Sequence, residues 1–288
     1  MILPIESLRR RDVAQFIDLL ERGFSDDLSA RGTDPARLSW ILRLLLVANG
    51  APLRALRRLT GHTADLLVAR SGNRLVACLA ILGRDEPVLT GMYVLPEFRG
   101  QRLALSMVNE ALDRLRARGQ RRASILATDQ TAQRLAERAG FVVCNRTDLY
   151  RRRLPARIPF PDRFTVQRHR RGGLSGNPYD LGPLRWLSRV RSAQLVIAEG
   201  KQDVLACALT ALPHQRTGEL KPRLLVPQRE EALLAALAAG SEWVAALKRE
   251  EIYLPLSADQ EALAPIAKSA GFEPIRSWAH LERDLTVS

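Results

Sequence analysis

Residues 93–106, YVLPEFRGQRLALS, place two arginines, a glycine and a run of main-chain amides where an apolar strand gives way to a helix. Such a corner suits anion binding. The first N–H groups of a helix have no internal partner and sit at the positive end of its dipole. A glycine permits close approach to the backbone, and guanidinium groups can aim paired N–H donors at phosphate oxygens. Arg99, Gly100, Gln101, Arg102, Leu103, Ala104, Leu105 and Ser106 are therefore candidate residues for a phosphate cradle. Other chemistry finds less support. Cys78, Cys144 and Cys207 form no CxxC pair, and His62, His169, His214 and His280 show no metal-ligand spacing. No metal is expected, and the cysteines read as packed apolar residues.

The corner has to be held by the elements around it. Leu105, Val108, Leu112 and Leu115 recur at helical spacing and predict a buried stripe on the helix that follows. Further upstream, one predicted helix carries Val13, Phe16, Ile17 and Leu20, and another starts at Asp34-Pro35 with Leu38, Ile41, Leu42 and Leu45. The chain then repeats itself. LAERAGF at 135–141 is answered by IAKSAGF at 266–272, VLP at 94–96 by LVP at 225–227, and LVARSGNRLVACLA at 67–80 by VIAEGKQDVLACAL at 196–209. Three matches in one order at nearly one offset predict duplicated domains. Each copy reads as a β-hairpin, a strand ending at the proline corner, a long helix, a short strand, a second helix closed by Ala-Gly-Phe, and a final strand. The expected division is a first domain at 1–154, a Pro/Gly-rich edge or linker at 155–184, and a second domain at 185–288.

Composition fits this reading. The 288 residues are 46% apolar and 26% charged, an ordinary globular balance. No run of about 18 uncharged apolar residues exists, and the basic run near the N-terminus follows the apolar piece, the reverse of a secretory signal. A soluble cytoplasmic protein is the expectation. The net charge of +13 is almost all arginine and lies mostly in the first half, which suits a polyphosphate ligand or a nucleic-acid surface. Aromatic residues make up 5% of the chain and none interleave the basic runs as stacking platforms, which counts against nucleic acid.

The first copy resembles the GNAT acyltransferase superfamily, whose members move an acyl group from coenzyme A to an amine. The resemblance rests on the strand–loop–helix–strand–helix order and on the loop Arg99-Gly100-Gln101-Arg102-Leu103-Ala104. The family loop reads Arg/Gln-x-x-Gly-x-Gly/Ala, so its first and last positions match while Arg102 replaces the middle glycine. A helical backbone at Arg102 would keep its amide in the cradle. The implied fold is a mixed α/β sheet in two tandem GNAT-like domains, and the implied cosubstrate is acetyl-CoA. By the same resemblance Met92, Tyr93 and Val94 line the pantetheine arm, and Asp129 stands where the family often has an asparagine near the acyl chain. Asp129 is equally explained as a helix N-cap.

Catalytic groups are less evident. The tyrosine that many members carry five residues before the Gly-Phe phenylalanine is Ala136 here, and the strand position often occupied by glutamate is Thr90. Glu86, acting through water beside Asp85, and Tyr150 are the remaining candidates for proton transfer. A solvated turn explains the two carboxylates without catalysis. In the second copy the positions equivalent to 99–104 are Glu230-Glu231-Ala232-Leu233-Leu234-Ala235, where carboxylates and the missing glycine oppose phosphate binding. The expected function is an acetyl-CoA-dependent N-acetyltransferase with an unidentified amine acceptor, working through the first copy. The alternatives are a non-catalytic acyl-CoA-binding module and, less well supported, a nucleic-acid-binding protein. The sequence leaves the oligomeric state open.

Overall fold

The computed structural model describes residues 3–30, 63–83, 86–155, 157–169, 191–211 and 216–286. The expected helix from Asp34, the basic segment 52–59, Asp85, His62 and His214 lie outside them.

The chain forms two compact units, one of Met1–Asn145 with Trp278–Ser288 and one of Arg146–Ser277. In the first unit the described elements are β1 (Ile5–Ser7), α1 (Val13–Ala30), β2 (Thr63–Ser71), β3 (Arg74–Gly83), β4 (Val88–Val94), α2 (Leu103–Ala117), β5 (Arg122–Ala127) and α3 (Gln130–Arg138), followed by the start of β6 (Val142–Arg153). The rest of β6 opens the second unit. There it is followed by β7 (Phe164–His169), β8 (Arg191–Glu199), β9 (Gln202–Ala211), β10 (Thr217–Leu224), α4 (Ala232–Ala246), β11 (Glu251–Ser257) and α5 (Ala264–Ser269). Finally β12 (Glu273–Asp284) ends back in the first unit. The mixed α/β architecture and the repeat agree with the sequence reading. β7 falls inside the segment expected to be a linker.

The terminal strands differ from expectation. Ala279–Asp284 of β12 pair antiparallel with Ala127–Arg122 of β5, completing the first unit as β1-β2-β3-β4-β5-β12. Thr147–Arg153 of β6 pair with Ser257–Glu251 of β11, completing the second as β6-β11-β10-β9-β8-β7. Each repeat thus lends its last strand to the other's unit, and the boundary expected at 154 falls at Asn145–Arg146.

Local chemistry accounts for the helix ends. Gly140 and Gly271 are left-handed, at φ 79° and 76°, the conformation glycine adopts without Cβ strain. Gly140 N–H donates to Glu137 C=O and Phe141 N–H to Ala136 C=O, which closes the last turn of α3 and turns Phe141 into the core. Gly271 and Phe272 repeat these bonds on Lys268 and Ala267. Arg283 of β12 donates to the Ala139 carbonyl, so the returning strand also caps α3. In α2 the buried side chains are Leu103, Met107, Val108, Ala111, Leu112 and Leu115, a broader stripe than expected, with Leu105 only half-buried. From α1, Val13, Phe16, Ile17 and Leu19 enter the same core, while Leu20 packs at its edge. Truncating a fully buried leucine such as Leu112 to alanine is worth about 2–5 kcal/mol.

Candidate functional site

Two parallel strands separate at the site. β4 pairs with β5 only at Val88–Ser124 and Leu89–Ile125, although β4 runs on to Val94 and β5 to Ala127. The divergence coincides with a bulge. Thr90 pairs with Ala80 and Tyr93 with Cys78, so Gly91 and Met92 together oppose Leu79. The opening lies at the C-terminal ends of two parallel strands, each followed by a helix, where α/β sheets take their ligands.

The cradle stands at one side of this opening. Leu95 N–H donates to Val76 C=O at 2.9 Å, and a 3-10 turn at Pro96–Phe98 leads to Gly100 at φ 77°. A Cβ on Gly100 would meet nothing within 4 Å, so the space over its backbone is open. Arg102 is left-handed at φ 60° and ψ 10° and serves as the N-cap of α2, so the helical backbone that would have kept its amide in the cradle is not the one it adopts. This explains why the family loop favours glycine there: a side chain costs about 1–2 kcal/mol in that conformation. The first α2 bond is Ser106 N–H to Arg102 C=O at 3.0 Å, and no side chain caps the turn. The amides of Leu103, Ala104 and Leu105 precede that bond and have no acceptor within the helix.

The two arginines take different parts. Arg102 is exposed. Arg99 folds back, its Nε donating to Val94 C=O at 3.1 Å while its guanidinium lies 5.6 Å from the centre of the Tyr93 ring. It thus occupies a main-chain group of Val94, a residue that the resemblance places along the pantetheine arm. Tyr93 also packs closely on α1. A Cβ on Gly23 of α1 would approach the Tyr93 ring to 2.5 Å, so only glycine leaves room there. Glu97 is exposed, pairs with Arg74 at 2.8 Å, and has its carboxyl held below the usual range, first by a backbone amide and then by Arg74.

The remaining sequence candidates are placed as follows. Asp129 is the N-cap of α3, its carboxylate accepting from Ala132 N–H at 2.8 Å, which supports the structural reading. Glu86 is exposed just before β4. Tyr150 belongs to the second unit, where it is 4% exposed in the apolar core opposite Leu254. Burial, then Asp148 and Glu261, raises its phenol pKa. The first unit by itself does not supply this hydroxyl. The strand exchange carries Tyr150 into the other core, and this could not be read from spacing. Ala136 is 1% exposed, and its carbonyl is the acceptor that closes α3.

The second unit closes the equivalent features with its own atoms. β10 and β11 pair at Thr217–Glu251, Gly218–Ile252 and Glu219–Tyr253 and then diverge. Gln260, in the 3-10 turn after β11, donates from Nε2 to Pro222 C=O on β10 at 2.5 Å. At the start of α4 the amides of Ala232, Leu233 and Leu234 donate to Arg229, Glu230 and Glu231 C=O at 2.9–3.0 Å. The Glu231 carboxylate pairs with Arg163. These three amides are therefore not left for an anion.

Of the cysteines, Cys78 and Cys207 are buried as expected, and burial pushes the Cys78 thiol up to about 12. Cys144 departs from expectation. It is exposed, with Sγ 3.5 Å from His280 Nδ1 and donating to His280 C=O at 3.2 Å. Partial burial and then the Glu282 carboxylate raise its pKa.

Comparison with known proteins accords with this geometry. Residues 37–141 match the model of the Acetyltransferase (GNAT) family. No curated protein matches the sequence. Among solved structures, a tandem GNAT protein from the clavulanic acid biosynthesis pathway, solved without acetyl-CoA, is 13% identical with a TM-score of 0.65 and covers 99% of each chain. A GCN5-related N-acetyltransferase from Sphaerobacter thermophilus is 14% identical with a TM-score of 0.64, covering 98% of this chain and 96% of its own. At these identities the likeness speaks for the fold. The chain has the tandem GNAT fold, and the stretch that matches the GNAT family model lies in its first half. Among the described residues no helix is long and apolar enough to cross a membrane.

Proposed function

From a tandem GNAT fold whose first half holds the family match, we propose that this chain is an acetyl-CoA-dependent N-acetyltransferase with one coenzyme site, at the start of α2. One observation carries the reading. The amides of Leu103, Ala104 and Leu105 stand unpaired beside diverging strands, whereas their counterparts in the second unit are bonded internally. Unpaired, dipole-aligned N–H groups with Arg102 beside them fit a diphosphate. The open space over Gly100 lets it approach.

The chemistry is acyl transfer. A neutral amine attacks the thioester carbonyl, the C–N bond forms, the C–S bond breaks, and the thiolate leaves with a proton. The cosubstrate supplies an activated acyl group. The protein's share is chiefly orientation, which can lower such barriers by about 7–11 kcal/mol. Glu86 is the carboxylate assigned to relay the amine's proton through water. The solvent supplies the proton for the thiolate, since Ala136 carries no hydroxyl and Tyr150 is enclosed in the second unit. The second unit shapes or supports the structure without binding coenzyme.

Incubation with acetyl-CoA and a panel of amines, monitored for thiol release, tests the reading. It expects acceptor-dependent release that rises with pH until the amine is neutral. Saturable coenzyme binding with no release from any amine, peptide or protein acceptor supports the second reading, an acyl-CoA-binding module, which the buried alanine at position 136 favours.

A further inference from the structure

The first unit carries a second constellation away from the cradle. His280 and Glu282 stand two residues apart on β12 and so share one face, while Ala279 and Leu281 between and before them enter the core. Cys144, on β6, comes alongside that face. The ligating atoms of the three residues all lie within 4.8 Å of one another. We propose that Cys144, His280 and Glu282 form a divalent-cation site of zinc type, with one coordination position left to solvent.

Donor chemistry selects the ion. A thiolate, an imidazole and a carboxylate together suit zinc, a borderline-soft cation. Bonds of about 2.3 Å to sulfur and 2.0–2.1 Å to nitrogen in a tetrahedron put the two donors about 3.6 Å apart. Sγ and Nδ1 are 3.5 Å apart in the structure. A Glu282 carboxylate oxygen lies within 4.8 Å of both donors, on a backbone that the β5–β12 register fixes. Arg283, next to Glu282 on this strand, is directed to the Ala139 carbonyl on the α3 side of the sheet, away from the face of His280 and Glu282.

A nucleophilic cysteine paired with histidine is the rival reading of these residues, and electrostatics separates the two. A carboxylate beside the thiol opposes a free thiolate, whereas a dication attracts thiolate and carboxylate together. The site joins residues 144 and 280, which are far apart in sequence, and so fastens the returning strand β12 to the first unit. A cation bound there stabilises the folded chain by mass action.

The test uses the untagged full chain, freed of metal and kept reduced, titrated with Co2+ and then Zn2+. We expect one equivalent of Co2+ to give a thiolate-to-cobalt charge-transfer band that Zn2+ displaces, and Zn2+ to raise the melting temperature. Cys144→Ser abolishes the band and the thermal shift, and Glu282→Gln weakens zinc binding roughly tenfold or more. Both exposed-face variants keep the metal-free melting temperature. Absence of the band, a band that survives Cys144→Ser, or an equal zinc-induced shift in both variants and the parent overturns the proposal. If Cys144→Ser fails to fold, protection of Cys144 from maleimide by Zn2+ in the parent, weakened in Glu282→Gln, decides it.

Discussion

Gln260 Nε2 donates to the carbonyl oxygen of Pro222 at 2.5 Å, bridging β11's following turn and β10 beyond their last paired residues. Nothing equivalent crosses between β4 and β5 among the described residues. There the residue at the matching repeat position, Asp129, turns its carboxylate to the Ala132 amide of its own helix. The same fold is therefore closed in one copy and open in the other. The difference rests on one side chain and on how the following helix begins.

Arg102 tests the start of α2. Gly normally costs about 0.5–1 kcal/mol through lost conformational freedom, but a left-handed arginine carries about 1–2 kcal/mol of strain. Arg102→Gly is therefore expected to leave stability unchanged or raise it, read by urea denaturation, while coenzyme binding weakens by less than in Arg102→Glu, because the amides stay and no carboxylate is added.

Gly23→Ala is expected to displace the Tyr93 ring, because the new methyl would sit 2.5 Å from it. Overpacking of this kind costs about 1–3 kcal/mol. The loss should appear in denaturation midpoints, together with weaker coenzyme binding, since Tyr93 also carries the Arg99 guanidinium.

The repeat, the hairpins, the proline corners, the Ala-Gly-Phe closures and the strand-to-helix corner before α2 were legible in the sequence because each is local. A left-handed glycine, a helical stripe and a strand-to-helix corner are fixed by neighbouring residues. The strand exchange was not legible. β6 and β12 present the same alternation whichever edge they join, and both units offer a similar edge at β5 and β11. Tyr150, assigned from the first repeat, consequently enters the second unit's core. Cys144 and His280, far apart in the chain, meet for the same reason. Arg102's conformation escaped because only glycine advertises a positive φ.

Ala136→Tyr places an aromatic ring where the alanine is 1% exposed. We expect a loss of about 1–3 kcal/mol in stability from overpacking and no gain in turnover. A faster enzyme of undiminished stability, measured by thiol release and thermal melting, would show that the pocket admits the family's hydroxyl.

Alkaline stability depends on Cys78. Folding keeps its thiol protonated up to about 12, whereas its ordinary value is 9.0. Between these values the folded state binds the extra proton, so stability falls as pH rises, by about 1.4 kcal/mol per unit for this group. Denaturation midpoints measured from pH 8 to pH 10.5 should fall, and Cys78→Ala should flatten the slope by about that amount.

Calorimetric titration of the full chain with acetyl-CoA tests the central claim most directly. One site per chain is expected, with Arg102→Glu weakening it by at least the roughly 1.5–3 kcal/mol typical of a lost charged hydrogen bond, and Glu231→Gln in the second unit leaving it unchanged. Two equivalent sites per chain, or an affinity indifferent to Arg102→Glu, would contradict the assignment of coenzyme binding to the open amides of Leu103, Ala104 and Leu105.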